Sequence, residues 1–366
     1  MAVNEIGGSM LIPVMSDTSL CLSVIAAWKA VQFQAGQAAS FPYLSYEAQA
    51  LQSLRKQLHV MGPRRVTDEA VIAAAILWAT AAMFAQPEPL RRHVAGVRAL
   101  VAARGGLADL GHAGSTAQLI LWADLLTAQF LDEDVCFKDI GPSDPLPPSL
   151  VKLRASIALP PPFDRLLPDT SEAARDMRLL LLCHDKALRT EHISFAEYKA
   201  LMGLLNQSTI FWVGLQEKYK GSSTSDECVI LAMNLLRLTV FFHAAPLLTI
   251  VTTVLERLRL ALVRCGIGQF LDSVDIYIWA CLVGMVNNLH ADARSQFADM
   301  LAHALTTKYK NGWPVDWQAE ILLLLRSFLW SDSVLTTMLP AACQLVEARV
   351  CPTKKTCLAT QSVTLS

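Results

Sequence analysis

The chain has 366 residues, 53% of them hydrophobic and 17% charged, with 31 Lys plus Arg against 32 Asp plus Glu and a formal net charge of −1. That balance excludes a disordered, charge-rich chain and a strongly basic domain built to grip phosphates. A mean hydropathy of +0.37 calls for many mutually packed elements around a large core.

Near the start of the chain Glu5 stands where a leader would carry basic residues, so neither a secretory signal nor an Arg-rich transit peptide is expected. Residues 1–40 read as an N-terminal helix or extension. Thr67-Asp68-Glu69 marks a helix start, because a short polar side chain caps free amides. The tract from Ala70 to Ala85 that follows is sixteen residues long and carries no charge. A bilayer requires roughly 20 such residues, and this tract stops at Gln86-Pro87-Glu88-Pro89, so it predicts a buried helix and no membrane span.

From Pro89 to Arg104, Leu90, Val94, Val97 and Val101 form one helical stripe with Arg91 and Arg98 off it. Arg104-Gly105-Gly106 supplies the helix stop, glycine taking the left-handed conformation and arginine favouring the negative end of the dipole. A second helix carries Trp122-Ala123-Asp124, and a buried hydrogen bond between His93 and Asp124 is expected to tie the two helices together. The segment from Asp132 to Pro168 holds Asp144-Pro145-Leu146-Pro147-Pro148 and Pro160-Pro161-Pro162, and is expected to run as an extended connector between two helical halves.

The pattern returns to helix at Thr170-Ser171-Glu172, with Ala173, Met177, Leu180, Leu181, His184 and Leu188 on one face. Gly221 to Ser225 is a loop, and the apolar tracts beyond it are broken by Asn234, Arg237, His243, Pro246, Asn287 and Asn288. Asp316 opens a helix whose inner face is Trp317, Ile321, Leu324 and Phe328, and residues 351–366 form a polar tail. No fixed-period repeat and no strand alternation occur, so the fold class is all-α, a large bundle of about ten to twelve helices.

Signals for chemistry are sparse. No Gly-x-Ser-x-Gly turn accompanies His93 and Asp124, so nucleophilic catalysis has no centre. Asp132-Glu133-Asp134 sets its acids in succession, whereas magnesium chemistry on a diphosphate needs carboxylates one helical turn apart. The eight histidines lack the His-Glu-x-x-His pattern, and His290 and His303 are too far apart to share one helical face toward a metal. Nine cysteines, none closer than six positions, exclude Cys-x-x-Cys zinc modules and read as reduced core thiols, with Cys351 and Cys357 in the tail beside Lys354-Lys355. Basic residues come only in pairs, Arg64-Arg65, Arg91-Arg92 and Lys354-Lys355, which argues against direct nucleic-acid contact. Tryptophans 279, 313, 317 and 330 fall at spacings that favour core packing over a ligand cage. No catalytic, cofactor-binding or metal-ligating residue is therefore assigned, no cofactor is expected, and the chain is read as a non-enzyme.

Taken together, His93-Val94-Ala95-Gly96-Val97, Arg104-Gly105-Gly106-Leu107 and Trp122-Ala123-Asp124 resemble the signature of the fungal-specific transcription factor domain, the C-terminal regulatory domain of zinc binuclear cluster transcription factors. Tyr46-Glu47-Ala48-Gln49-Ala50-Leu51 and the helix from Asp68 through Trp78 are similar to upstream segments of that family. Trp279 with Gly284 and Arg294-Ser295-Gln296-Phe297 resembles its "Trp…Gly…Arg-x-x-Phe" segment, and Trp317 through Trp330 its closing helix. The likeness extends over about residues 40–332 of the chain and implies one helical regulatory domain over residues 41–350, with the proline-rich connector 132–168 inside it. The six-cysteine zinc cluster of the family is not in this sequence, so DNA reading does not carry over. What the resemblance implies is a transcriptional regulator or co-regulator working through other transcription proteins or self-association, with a small-molecule effector as a further partner. It also implies a nuclear location, the cytoplasm being the alternative, and a link to a fungal secondary-metabolite gene cluster. Two rival readings stand beside it: an all-helical enzyme of natural-product biosynthesis, and a truncated zinc-cluster factor whose upstream exon is missing.

Overall fold

A computed structural model describes residues 14–34, 42–61, 66–83, 87–131, 133–138, 145–189, 193–241, 249–270, 272–287, 291–310 and 312–350. The proposed tail 351–366, with Cys351, Lys354, Lys355 and Cys357, lies outside these residues, as do Glu5, Arg64, Arg65, Asp132, His243, Pro246, Asn288 and His290. All regular structure among the described residues is helical, as expected. It comprises fourteen α-helices against the about ten to twelve that periodicity suggests, one of them within the proline-rich connector. Among the described residues no helix is long and apolar enough to cross a membrane.

The chain divides into two compact units, and its path passes between them more than once. One takes Met1–Ser156, Lys186–Gly214 and Leu247–Ile250; the other takes Ile157–Asp185, Leu215–Pro246 and Val251–Ser366.

The first unit begins with α1 (Thr18–Gln34), α2 (Pro42–Met61), α3 (Asp68–Met83), α4 (Pro87–Arg104) and α5 (Ser115–Leu131). Helix α3 lies at the centre, packed against α1, α4 and α5, which is why its sequence is apolar on every side. Ala70, Val71, Ile72, Ala73, Ala75, Leu77 and Trp78 are all buried, and the alanines let neighbouring helices approach closely. Thr67 Oγ1 accepts from Ala70 N at 3.2 Å, the expected cap. Trp78 Nε1 donates to Thr127 Oγ1 of α5 at 2.7 Å, which satisfies the one polar atom of a fully buried indole.

The connector departs from expectation. Pro148 opens α6 (Pro148–Ser156), and Pro161 opens a short 3-10 turn to Arg165. Proline has no amide to lose in a first turn and its φ is already helical, so a proline-rich segment can start helices as readily as it forbids their interiors. Likewise α7 (Pro168–Leu188) begins at Pro168, ahead of the Thr170-Ser171-Glu172 signal; Ser171 Oγ instead donates to Phe163 O at 2.9 Å. Helix α8 (Phe195–Lys218) follows.

In the second unit α9 (Ser225–Leu236) starts with a side-chain cap at Thr224 and an acid that ties down the turn before it. Thr224 Oγ1 accepts from Glu227 N at 3.4 Å, and Glu227 accepts from Gly221 N at 2.8 Å and Ser223 N at 3.0 Å. Asn234 and Arg237, which interrupt the apolar tract in sequence, are buried and linked: Asn234 donates to Gln216 Oε1 at 2.8 Å and accepts from Arg237 Nη2 at 2.6 Å. Burial lowers the Arg237 guanidinium to about 9. A π-turn over Arg237–Phe241 ends this segment, and α10 (Thr249–Cys265) resumes the chain.

Helix α11 (Val274–Val286) is the buried centre of this unit, packed against α9, α12 (Ala291–Lys308), α13 (Trp317–Ser327) and α14 (Leu339–Val350). Every residue from Ile276 to Val286 is buried. In α13 the inward residues are Trp317, Ile321 and Leu325, with Leu324 only half-buried. Asp185 closes the unit's polar accounts near Ser331, accepting from Ser331 Oγ at 2.6 Å and from Asp332 N at 2.8 Å.

Candidate functional site

The stretch with the strongest sequence signal is α4, its stop and α5. Gly105 has φ 103° and Gly106 φ 127°, both in the left-handed region. Gly106 N donates to Val101 O at 3.0 Å and Gly105 N to Ala102 O at 3.1 Å, the two bonds of a Schellman stop. Arg104 does more than face the helix dipole. Its Nε and Nη2 donate to Asp68 Oδ1 at 3.1 and 2.8 Å, joining the last turn of α4 to the first turn of α3.

His93 and Asp124 do not pair. Asp124, 1% exposed, accepts from Cys136 N at 3.0 Å and Phe137 N at 2.8 Å, so it anchors the chain that leaves α5. Its cavity of about 210 Å³ is lined from α4 by Arg91, Val94, Ala95 and Arg98. His93 belongs to another flank of α4, with Gly96, Val97 and Leu100, where its Nε2 lies 3.6 Å from Glu47 Oε1 of α2. The helical repeat explains the correction: residues 91, 94, 95 and 98 share one stripe and residues 93, 96, 97 and 100 another. Glu47 was not singled out as a partner from sequence; its only signal was its place in the Tyr46 to Leu51 segment.

The chemistry available beside Asp124 is limited. Burial raises the Asp124 carboxyl above the ordinary carboxylate value, with the two backbone amides and Arg98 pulling the other way. Burial, and then the Asp124 charge, push the Cys136 thiol up to about 11, so it is held protonated near neutral pH and is a poor nucleophile. Glu133 pairs with Arg91 at 2.9 Å and Asp134 with Lys138 at 2.7 Å. Among the described residues no three His, Cys, Asp or Glu side chains are grouped to hold a metal ion.

On its other flank α4 forms, with α2 and α3, a groove of about 510 Å³. Leu54, Leu77 and Val97 make its buried floor, Leu51, Leu58 and Leu100 its half-buried walls, and Arg55 and Arg92 its exposed charged edge. Glu47 and His93 close one part of it. Thus His93 and Gly96, both quoted from the sequence signature, line a cavity that the sequence did not locate.

Of the tryptophans, Trp279, Trp317 and Trp330 are buried and Trp313 is half-buried. Trp279 is fully buried, donates to Leu329 O at 2.8 Å and stacks on Phe328 at 6.5 Å between ring centroids. Trp313 meets Trp317 edge to face at 5.1 Å, and Trp330 Nε1 donates to Thr336 Oγ1 at 3.1 Å, so each indole has its own local partner. Cys183, Cys228, Cys265, Cys281 and Cys343 are buried, as core thiols are. Comparisons with protein-family models, with curated proteins and with solved structures find no match for the chain.

Proposed function

We propose that this chain is a helical regulatory protein of the fungal transcription factor kind, a regulator or co-regulator that reaches promoters through a protein partner. The observation that carries this reading is an apolar stripe left on α1: Val24, Trp28 and Val31 are 37%, 61% and 38% exposed at i, i+4, i+7 spacing. A tryptophan flanked by two valines makes a contiguous apolar patch, and tryptophan is among the residues that dominate the energetics of protein interfaces. Charge supports a protein partner over a phosphate backbone. Arg91 pairs with Glu133, Arg104 with Asp68 and Lys218 with Asp169, so part of the positive charge is already matched.

The segments that carry the family resemblance also make the helix contacts: Glu47 with His93, the Gly105-Gly106 stop, and Gly284 against Phe297. That agreement between resemblance and packing supports the reading, with the nucleus as the expected location.

The test is transcript profiling of a deletion strain, with chromatin immunoprecipitation of tagged wild type and of Trp28→Glu. The expected result is loss of expression of a coherent gene set, with the protein at those promoters and Trp28→Glu absent from them though normally folded. Unchanged transcripts together with a missing metabolite would overturn the regulator and favour the helical enzyme.

A further inference from the structure

We infer that the groove between α2, α3 and α4 is a binding site for one small amphipathic molecule, an aliphatic or aromatic body that ends in a single anionic group such as a carboxylate. Its volume of about 510 Å³ falls within the range of pockets that enclose small ligands. The floor is apolar, and Leu54, Leu77 and Val97 are buried beneath it. The half-buried Leu51, Leu58 and Leu100 of the walls give an aliphatic or aromatic body its surface to cover.

Gly96 is the most telling residue. Glycine in the middle of a helix is unfavourable relative to alanine, so it calls for a local reason. A Cβ at Gly96 would meet nothing within 4 Å, as at Gly214 of α8, and its backbone is helical; what sets Gly96 apart is that it lines the groove. At Gly284, by contrast, Phe297 fills the space that the absent side chain leaves. The space in front of Gly96 opens on the groove, where a bare backbone widens the cavity and lets a ligand lie against the helix.

Charge selects the head group. Arg55 and Arg92 line the edge, while the one acidic lining residue, Glu47, faces His93 at 3.6 Å. Arg92 and His93 also stand in the second turn of α4, toward the positive end of its dipole. A monoanion is complementary to this edge, and the exposed arginines can reach it without a buried, unpaired charge. As an effector site the groove rests on the regulatory reading above, but binding is measured apart from transcription, so either can fail alone.

The full chain is titrated with 1-anilinonaphthalene-8-sulfonate, an aromatic body with one anionic group, followed by competition with octanoate and with octan-1-ol. Saturable binding of one probe per chain is expected, with octanoate the stronger competitor. Gly96→Leu, which fills the groove from an exposed helix position, should weaken the probe about tenfold or more while the thermal midpoint holds or rises. Arg55→Gln with Arg92→Gln should weaken octanoate by a similar factor and leave octan-1-ol nearly unchanged. The inference is overturned if no probe binds saturably, if Gly96→Leu binds as wild type does, or if the alcohol competes as well as the acid. Loss of a co-purifying protein on Gly96→Leu without any small-molecule binding would overturn it in favour of a partner helix.

Discussion

Helix propensity alone predicts that replacing either Gly96 or Gly284 by alanine stabilises the chain by about 0.5–1 kcal/mol. Packing reverses the sign at one of them. At Gly284 an added Cβ would lie 2.4, 2.6 and 2.7 Å from three ring carbons of Phe297, against an ordinary carbon contact of about 3.5–4.0 Å. The ring would have to retreat by roughly 1 Å, yet Phe297 is fully buried in α12 and has close-packed neighbours behind it. Overpacking of that kind costs about 1–3 kcal/mol, so Gly284→Ala should lose about 1–2 kcal/mol net. Gly96→Ala meets no atom and should keep the propensity gain. With a thermal midpoint moving by roughly 2–4 °C per kcal/mol in a unit of this size, the two variants should melt on opposite sides of wild type. Thermal melts followed by far-UV circular dichroism decide the matter. A Gly284→Ala chain that melts at or above wild type refutes the packing argument. A Gly96→Ala chain destabilised by more than about 0.5 kcal/mol removes the open space on which the groove depends.

Gly105→Val should cost more than about 1 kcal/mol, because a β-branched side chain at φ 103° is strained; an unchanged midpoint would remove the Schellman stop. Asp124→Ala should destabilise by about 1–3 kcal/mol in urea titration, since it leaves the Cys136 and Phe137 amides without their acceptor. Because burial raises Asp124 above its ordinary value of 3.8, the native chain keeps that proton at a pH where the unfolded chain has released it. The site's contribution thus falls as pH rises through that interval, and the gap between wild type and Asp124→Ala should widen from neutral pH toward about pH 4; a gap that narrows contradicts the assigned burial. Cys136, pushed up to about 11, should react slowly with iodoacetamide near neutral pH and much faster only in strong alkali. Peptide mapping that finds it among the first cysteines alkylated at neutral pH would refute this.

Local order is readable from the chain because its causes are local. Leu90, Val97 and Val101 recur at helical spacing, and all three are buried. Thr67 can cap only the amides just ahead of it, and Gly105-Gly106 end α4 through bonds to Val101 and Ala102 in the same turn. A tract such as Ala70 to Ala82, whose one polar side chain is Thr80, has no polar face to leave outside, so its central position in a unit follows from composition.

Proline chemistry marks the limit of that reading, since Pro148 and Pro161 are compatible with either an extended strand or a first turn, and the structure places both at helical starts. Periodicity also assigns His93 and Asp124 to helices without saying which neighbour occupies each flank of α4. Placing α2 beside His93 and the Cys136 backbone beside Asp124 depends on contacts between residues far apart in sequence. Gly96 and Gly284 make the same point: they are alike along the chain, and only tertiary packing sets Phe297 against Gly284 and leaves Gly96 facing a cavity. Helix identity, caps and inward faces are thus determined by interactions within a few residues, where the chain's own spacing dictates geometry. Partner choice, the groove and the two-unit division were decided by long-range packing, in which one apolar stripe can satisfy many partners and the fold selects among them.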